Sequence, residues 1–486
     1  MLRLQAYLPL NPQGFPGVPP DLSFNIAISF ITNANWQAYA GETTLSHFSQ
    51  MAGLTANNFM DSAAATAIAL ALTRAIGRNE SPTIGNFWVD MTRATLYVLL
   101  PLSLVVALAF TALGVPQTLQ ASIEATTLEG AKQAIALGPV AGQEAIKLIG
   151  DNGGGFFNAN SAHPFENPSA WSNILQVWSQ LVLPAALVFA FGRMVGDIRQ
   201  GRALLVAMAI IFVASLFVLY WAETRGNTEL TALGVDPSLG NMEGKDLRFG
   251  QAGGAMFVDA TTGTGTGASN PVLESMTPIG GLVAFFNLLL GCISPGGVGT
   301  GLYSLLVLTF IAAFLAALMI GRTPEYLGKK LSARDMQFAI LALLVSPALL
   351  LGLAGASTLL KSALDSLGAG GPHGLSEILY AFASSVSDNG SAFSGLNANT
   401  PWYNVATGIA MFLGRFAHAI PILAIAGSLA AKKKAQPSAG TVPTQGRLFV
   451  VFLLCVILVI TLLQYLPALA LGPVAEQFLL ERGATF

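Results

Sequence analysis

Two stretches of the chain repeat one order of residue types. Asp151-Asn152-Gly153 is followed by Asn158-Ala159-Asn160, and Asp388-Asn389-Gly390 by Asn397-Ala398-Asn399. A third stretch, Thr32 to Gln37, carries Asn33-Ala34-Asn35, and a fourth, Thr261 to Gly267, alternates Thr with Gly. Side-chain amides, hydroxyls and freely turned main-chain carbonyls offer neutral oxygen, which holds a cation rather than breaking a bond. Gly permits φ > 0, so consecutive carbonyls can be turned toward one axis. Four such loops about an axis would replace the water shell of a cation with rings of oxygen.

Each stretch follows an apolar run too short to cross a bilayer: Leu22 to Ile31, Val140 to Ile149, Gln251 to Ala260 and Leu375 to Val386. The units recur at spacings of roughly 110 to 125 residues, which predicts an internal repeat of helix, half-helix, loop and helix. Irregular backbone at membrane depth is tolerated only where it lines a watery cavity or is buried in protein. A half-helix that stops there directs its unsatisfied carbonyls, the negative end of its dipole, at the same place. This is the construction of a potassium filter.

The rest of the chain supplies the membrane. Of 486 residues, 53% are hydrophobic and only 10% charged, against roughly 25% charged in soluble domains. A spanning helix needs about 20 largely apolar residues. Stretches 57–77, 91–114, 171–195, 202–222, 335–356, 403–430 and 447–468 qualify uninterrupted, and 277–321 holds two apolar runs separated by "SPGGVGTG". Charge decides how to count that region. Taken as one broken crossing, it puts Arg74, Arg78 and Arg93, then Arg193, Arg199 and Arg202, then Arg322, Lys329, Lys330 and Arg334, then Lys432, Lys433, Lys434 and Arg447 on one face. That face holds 14 of the 23 Lys and Arg and by the positive-inside rule is cytoplasmic. Eight crossings follow, one discontinuous, in a bacterial-type plasma membrane.

The long loops then face outward. The one from Glu223 to Glu274 carries Glu223, Glu229, Asp236, Glu243, Asp246, Asp259 and Glu274 against three bases; an acidic outer vestibule that concentrates cations is one reading, and a solvated loop is the expectation from these charges alone. Cys292 and Cys455 lie far apart in apolar runs and read as buried small hydrophobes. His418 reads as a satisfied core histidine, while Arg415, inside a crossing, reads as functional because charge there is costly, with a structural ion pair as the alternative. An outer-face enzyme using His163, Asp151 and Ser161 lacks a base and orienter at useful spacing. The chain contains no Asp-Lys-Thr-Gly phosphorylation motif and no Gly-x-x-x-x-Gly-Lys-Ser/Thr loop, so energy for uphill transport must come from a partner.

The stretches "TNANWQAYAGETTLSHFSQMAGLT", "GDNGGGFFNANSAHPFENP", "NMEGKDLRFG", "GGVGTGLYS", "GRTPEYLGKK", "DNGSAFSGLNANTPW" and "LALGPVAE" together resemble the potassium-binding A-subunit family of the bacterial Kdp ATPases, within the superfamily of potassium transporters. The resemblance covers essentially the whole chain. It implies an all-α polytopic membrane fold of four pseudo-symmetric repeats (helix, pore helix, filter loop, helix) around a central ion path. It also implies a non-catalytic subunit that binds external potassium in the filter. The ion then passes through an intramembrane tunnel to the P-type ATPase subunit KdpB, with KdpC and KdpF alongside. The implied filter residues are Asn33 and Ala34; Asp151, Asn152 and Gly153; Gly265, Thr266 and Gly267; and Asp388, Asn389 and Gly390. Gln37 would support the filter, Gly297 and Gly299 would shape a loop that bars direct flow to the cytoplasm, and Arg415 would lie below with that loop. The alternative is a stand-alone channel or ion-coupled transporter of the same superfamily, against which "SPGGVGTG" and "GRTPEYLGKK" speak. No organic cofactor and no nucleic acid are implied.

The repeats are expected at 1–90 (shortened, a pore loop plus inner helix), 91–201, 202–334 with the broken helix, and 335–434, with an extra C-terminal helix at 435–486. The resemblance implies ten crossings, and this chain begins where the second should already be finished. A start codon assigned too late is the expectation, a truncated gene the alternative. The chain departs from the family at Asp151 and Asp388, where uncharged Thr or Asn is usual, and at "TGTGTG", where Ser and Cys are. Two carboxylates near one axis are expected to share a proton or hold a cation.

Overall fold

Alternation of long and short apolar helices governs the whole architecture. A computed structural model describes residues 1–436 and 442–483. Among these, 8 helices are long and apolar enough to cross a membrane: Ser49–Gly77, Phe87–Ala112, Ala170–Met194, Ile198–Ala232, Thr300–Met319, Ala333–Leu359, Pro401–Ala430 and Arg447–Leu480. The broken crossing appears as Pro278–Leu289 followed, across an irregular loop, by Thr300–Met319. Small antiparallel pairs, Ser122–Thr126 with Lys132–Ala136 and Glu325–Tyr326 with Lys329–Lys330, decorate the connections.

Local sequence explains where the helices start. Pro occupies the first turn of Pro20–Ile31, Pro278–Leu289 and Pro401–Ala430, where its missing N–H leaves no vacant bond. Ser169 and Ser332 begin the helices that follow them with reciprocal capping boxes to Ser172 and Asp335, each satisfying two of the orphan donors at a helix start. The helices sort by depth. In Ser49–Gly77, rich in Ala and Ser, 72% of the most apolar stretch is buried, against 28% in Phe87–Ala112, Ile198–Ala232 and Ala333–Leu359. Small residues let the inner helix pack closely against its neighbours, while Leu104, Val105 and Leu108 stay exposed as a lipid-facing strip. Cys455 lies on such an outer face, whereas Cys292 is buried as expected.

The basic connections do meet on one side. Ser81 N donates to Ala430 O at 2.9 Å and Lys434 N to Asn79 Oδ1 at 2.8 Å. Ala435 N reaches Gly328 O at 2.8 Å, and Thr444 Oγ1 reaches Gln200 Oε1 at 2.9 Å. Four clusters distant in sequence thus form one basic face, as the charge pattern predicts.

The half-helices are Pro20–Ile31, Val140–Ile149, Gly250–Gly263 and Gly371–Val386. Three end where the apolar runs end. The third runs on through Thr261 and Thr262, whose environment is fully buried, and Thr262 Oγ1 bonds back to Val258 O at 2.7 Å. That helix is longer than its apolar pattern.

Candidate functional site

Beyond each half-helix, the second to fourth residues form a triplet: Asn33-Ala34-Asn35, Asp151-Asn152-Gly153, Gly265-Thr266-Gly267 and Asp388-Asn389-Gly390. The first member is left-handed in three of them, with φ of 68° at Asn33, 53° at Asp151 and 57° at Asp388. Asn and Asp are the non-glycine residues that accept this region most readily. The third member has positive φ in all four, 50° at Asn35, 89° at Gly153, 75° at Gly267 and 87° at Gly390. One backbone course therefore recurs four times, which is the pseudo-symmetry of the repeats at atomic scale.

The triplets close into a ring. A Cβ on Gly153 would overlap the carbonyl oxygen of Thr266, one on Gly267 that of Asn389, and one on Gly390 that of Ala34. In each case the third member of one triplet lies on the middle carbonyl of the next. Asn33 Nδ2 donates to Asp151 O at 2.7 Å, joining the first triplet to the second and completing the circuit. At the level of the first members, Gly265 lies between the main-chain oxygens of Asp388 and Asp151.

Side-chain amides hold this ring from behind. Asn152 Nδ2 donates to Asn33 Oδ1 at 2.6 Å and Asn389 Nδ2 to Thr261 O at 2.7 Å. Gln37 clamps one residue from both sides, accepting from Gly155 N at 3.0 Å and donating to Gly155 O at 3.1 Å. Asn160 Nδ2 donates to Gly153 O at 2.8 Å, and its own Oδ1 is held by Lys147 Nζ at 2.7 Å. That lysine, fully buried, is paired with Glu144 and Glu166, each at 2.7 Å.

On one side the third members of all four triplets, Asn35, Gly153, Gly267 and Gly390, line a single open cavity of about 650 Å³. It lies on the side away from the basic face. On the other side the broken crossing closes in: Ser294 N and Gly296 N donate to Gly263 O at 2.9 and 3.1 Å, and Gly297 packs on Gly265. Gly299, with φ of 84°, lies against the main chain of Ala65, leaving no space for a side chain.

The family model described as "Potassium-transporting ATPase A subunit", KdpA, matches residues 1–478. The chain belongs to the KdpA family. Among its relatives, the potassium-transporting ATPase potassium-binding subunit of Allorhizobium ampelinum is 60% identical over 476 residues, 98% of this chain and 84% of that one. The subunit of the same description from Rhodospirillum centenum is 54% identical over 486 residues, 100% of this chain and 85% of that one. Among solved structures, the potassium transporter TrkH of Vibrio parahaemolyticus has the same fold. Its TM-score is 0.55 at 15% identity, covering 83% of this chain and 77% of that one.

In this KdpA-family chain the expected site residues come together. Arg415, deep in Pro401–Ala430, donates from Nη1 to Asp388 Oδ2 at 2.7 Å and from Nη2 to the main-chain oxygen of Asp61 at 3.3 Å. Asp151 Oδ1 accepts from Thr266 Oγ1 at 2.8 Å. Each of the two carboxylates, expected to share a proton or hold a cation, has one oxygen engaged by a partner of its own and one without a hydrogen-bond partner. His418 is satisfied, with Nδ1 3.0 Å from Ala342 O and Nε2 3.2 Å from Ser304 Oγ. His163 stacks on Phe157 at 3.7 Å and its Nδ1 accepts from Phe165 N, so it forms no triad with Asp151 and Ser161.

Two expectations need correction. Among the described residues, the vestibule wall carries no charged side chain. Four of the seven acids are engaged elsewhere, Glu223 with Lys245, Asp246 with Arg248, Glu274 with His373 and Asp259 buried against Asn287, and Glu229, Asp236 and Glu243 are not among the residues that line the vestibule. Amides and hydroxyls, not carboxylates, face the ring. The first triplet also includes a member that motif matching left out, Asn35. Its signal was present in Asn33-Ala34-Asn35, because Asn is the residue that can take the glycine's place at positive φ.

Proposed function

We propose that this chain is the non-catalytic, potassium-binding subunit of an ATP-driven potassium importer in the bacterial inner membrane. Main-chain carbonyls of the four triplets, Asn33-Ala34, Asp151-Asn152-Gly153, Gly265-Thr266-Gly267 and Asp388-Asn389-Gly390, take external potassium from the neutral vestibule. Dehydrating the ion costs free energy, which a ring of preset carbonyl dipoles offsets without having to reorganise. The amides of Asn33, Asn152, Asn389 and Gln37 fix the spacing of those dipoles. Gly297 and Gly299 hold the central loop beneath the ring, so an ion that has passed the filter is turned sideways, toward a P-type ATPase partner, KdpB, with KdpC and KdpF alongside.

The observation that carries this reading is the closed circuit of four triplets whose third members share one vestibule. Membership of the KdpA family and the description of the relatives as potassium-binding subunits support the ion and the kind of complex. The test expresses the chain in a cell lacking potassium uptake, with and without the ATPase subunits. Growth at micromolar potassium only when the ATPase is present is expected. Rescue by this chain alone would contradict the division of labour.

A further inference from the structure

The second half-helix carries a charge where the other three carry a hydroxyl. Four residues before the first member of each triplet stand Ser29, Lys147, Thr261 and Ser384. Three of these positions share one backbone role: Asn35 N donates to Ser29 O at 3.1 Å, Asn152 N to Lys147 O at 2.8 Å and Asn389 N to Ser384 O at 3.1 Å. Their side chains differ. Ser29 Oγ donates to Trp36 O at 2.9 Å, while among the described residues Thr261 Oγ1 and Ser384 Oγ have no hydrogen-bond partner. Lys147 alone brings an ammonium to this position, and it is fully buried.

An ammonium away from water needs its charge balanced and its three N–H groups taken up. Glu144, Glu166 and Asn160 each accept from Lys147 Nζ at 2.7 Å. Two carboxylates already balance the charge, so the third contact, to an amide, serves another end. Lys offers no acceptor, and the Asn160 atom facing it must therefore be the oxygen. Ser161 N holds the same oxygen at 2.9 Å. Nδ2 is thereby aimed the other way, at Gly153 O, 2.8 Å off. Hydrogen bonds from an ionised donor are roughly twice as strong as neutral ones, and they polarise the group that passes them on. Asn160 and Gly153 both line the vestibule.

We propose that Lys147 is a positioning residue for potassium selection at the vestibule floor: through the Asn160 amide it fixes the Gly153 carbonyl, the outermost of the second triplet. Glu144 and Glu166 hold the ammonium in place, and Glu166 is tied to the same loop by accepting from Phe157 N at 2.8 Å. One quarter of the ring is thus braced by a buried charge and the other three by neutral groups. The inference rests on the filter reading, and it adds to that reading a residue that touches no ion yet sets discrimination between ions.

Potassium uptake by cells that express the chain with the ATPase subunits tests this. Asn160→Gly suits the φ of 53° at that position and removes the amide. Lys147→Met is made together with Glu166→Gln, so that one charge of each sign leaves. Either change is expected to raise the potassium concentration for half-maximal uptake about tenfold, as for one modest hydrogen bond. Sodium should compete better and maximal rate should alter little. All three substitutions together should be no worse than Asn160→Gly alone, because they act on one carbonyl. Losses that multiply, or a half-maximal concentration unchanged in Asn160→Gly, overturn the proposal. Should the Lys147 variant fail to fold, Asn160→Asp decides. It keeps an oxygen for Lys147 but takes the N–H from Gly153 O, so the same tenfold rise is expected and wild-type affinity overturns the proposal. The filter reading fails separately, if Gly153→Ala selects potassium over sodium as wild type does.

Discussion

At the scale of single residues, the pair Arg415–Asp388 and the clamp of Gln37 act differently. Removing one partner of a buried ion pair leaves a bare charge, which typically costs about 3–5 kcal/mol. Arg415→Ala is therefore expected to lower the thermal unfolding temperature markedly, and the double change Arg415→Ala with Asp388→Asn to recover much of it. Equal loss in both variants would mean that Arg415 acts through packing. Gln37 makes two hydrogen bonds to Gly155, each worth about 1 kcal/mol. Gln37→Ala should raise the potassium concentration for half-maximal uptake by roughly tenfold or more, with little change in maximal rate. A fall in maximal rate alone would remove Gln37 from the supporting shell.

At the scale of elements, the ring explains which glycines are indispensable. A methyl group on Gly153, Gly267 or Gly390 would occupy the position of a neighbouring filter carbonyl, so each change to Ala is expected to abolish selective uptake. Asn35 carries a Cβ at the third position of its own triplet with φ of 50°, so Asn35→Gly should be tolerated, with potassium over sodium discrimination retained. Measuring competition by sodium in all four variants checks this asymmetry. Much of the element scale was legible in the sequence. Val140–Ile149 could be bounded to the residue because Pro139 and Gly150 punctuate a short apolar run. The broken crossing was readable because only that reading gathered the basic connections on one face. What was not legible depends on folding: Asp61 sits in an Ala-rich helix 354 residues from Arg415, and Lys147 looks like an ordinary helix-end base until Glu166 closes over it. The acidic outer loop misled because net charge along a chain does not reveal which acids find partners. The third half-helix exceeded its apolar pattern because buried Thr can satisfy its hydroxyl on its own helix.

At the scale of the whole molecule, the outer side is tied together through His373, at the start of the fourth half-helix. Its Nε2 lies 2.7 Å from Glu274 and its Nδ1 2.9 Å from Glu476, linking the loop after the third triplet to the C-terminal helix. Burial opposes charge on this imidazole, but the two carboxylates outweigh it and lift its pKa to about 10. A base whose pKa is raised in the folded state contributes stability that is full below its ordinary value near 6.5 and is lost as pH climbs through the folded value. Unfolding temperature is therefore expected to fall between about pH 7 and 10 more steeply in wild type than in His373→Gln; parallel profiles would show that the clasp carries no charge.

The most direct measurement of the ring itself is anomalous diffraction from crystals of the chain, or of its complex, soaked in thallium, a potassium-sized cation. A peak is expected on the axis enclosed by Ala34, Asn152, Thr266 and Asn389, on the cytoplasmic side of the vestibule floor and above Gly297. Thallium bound only elsewhere, with that axis empty at saturating concentration, would contradict the claim that four inward-dipping loops form one potassium cage.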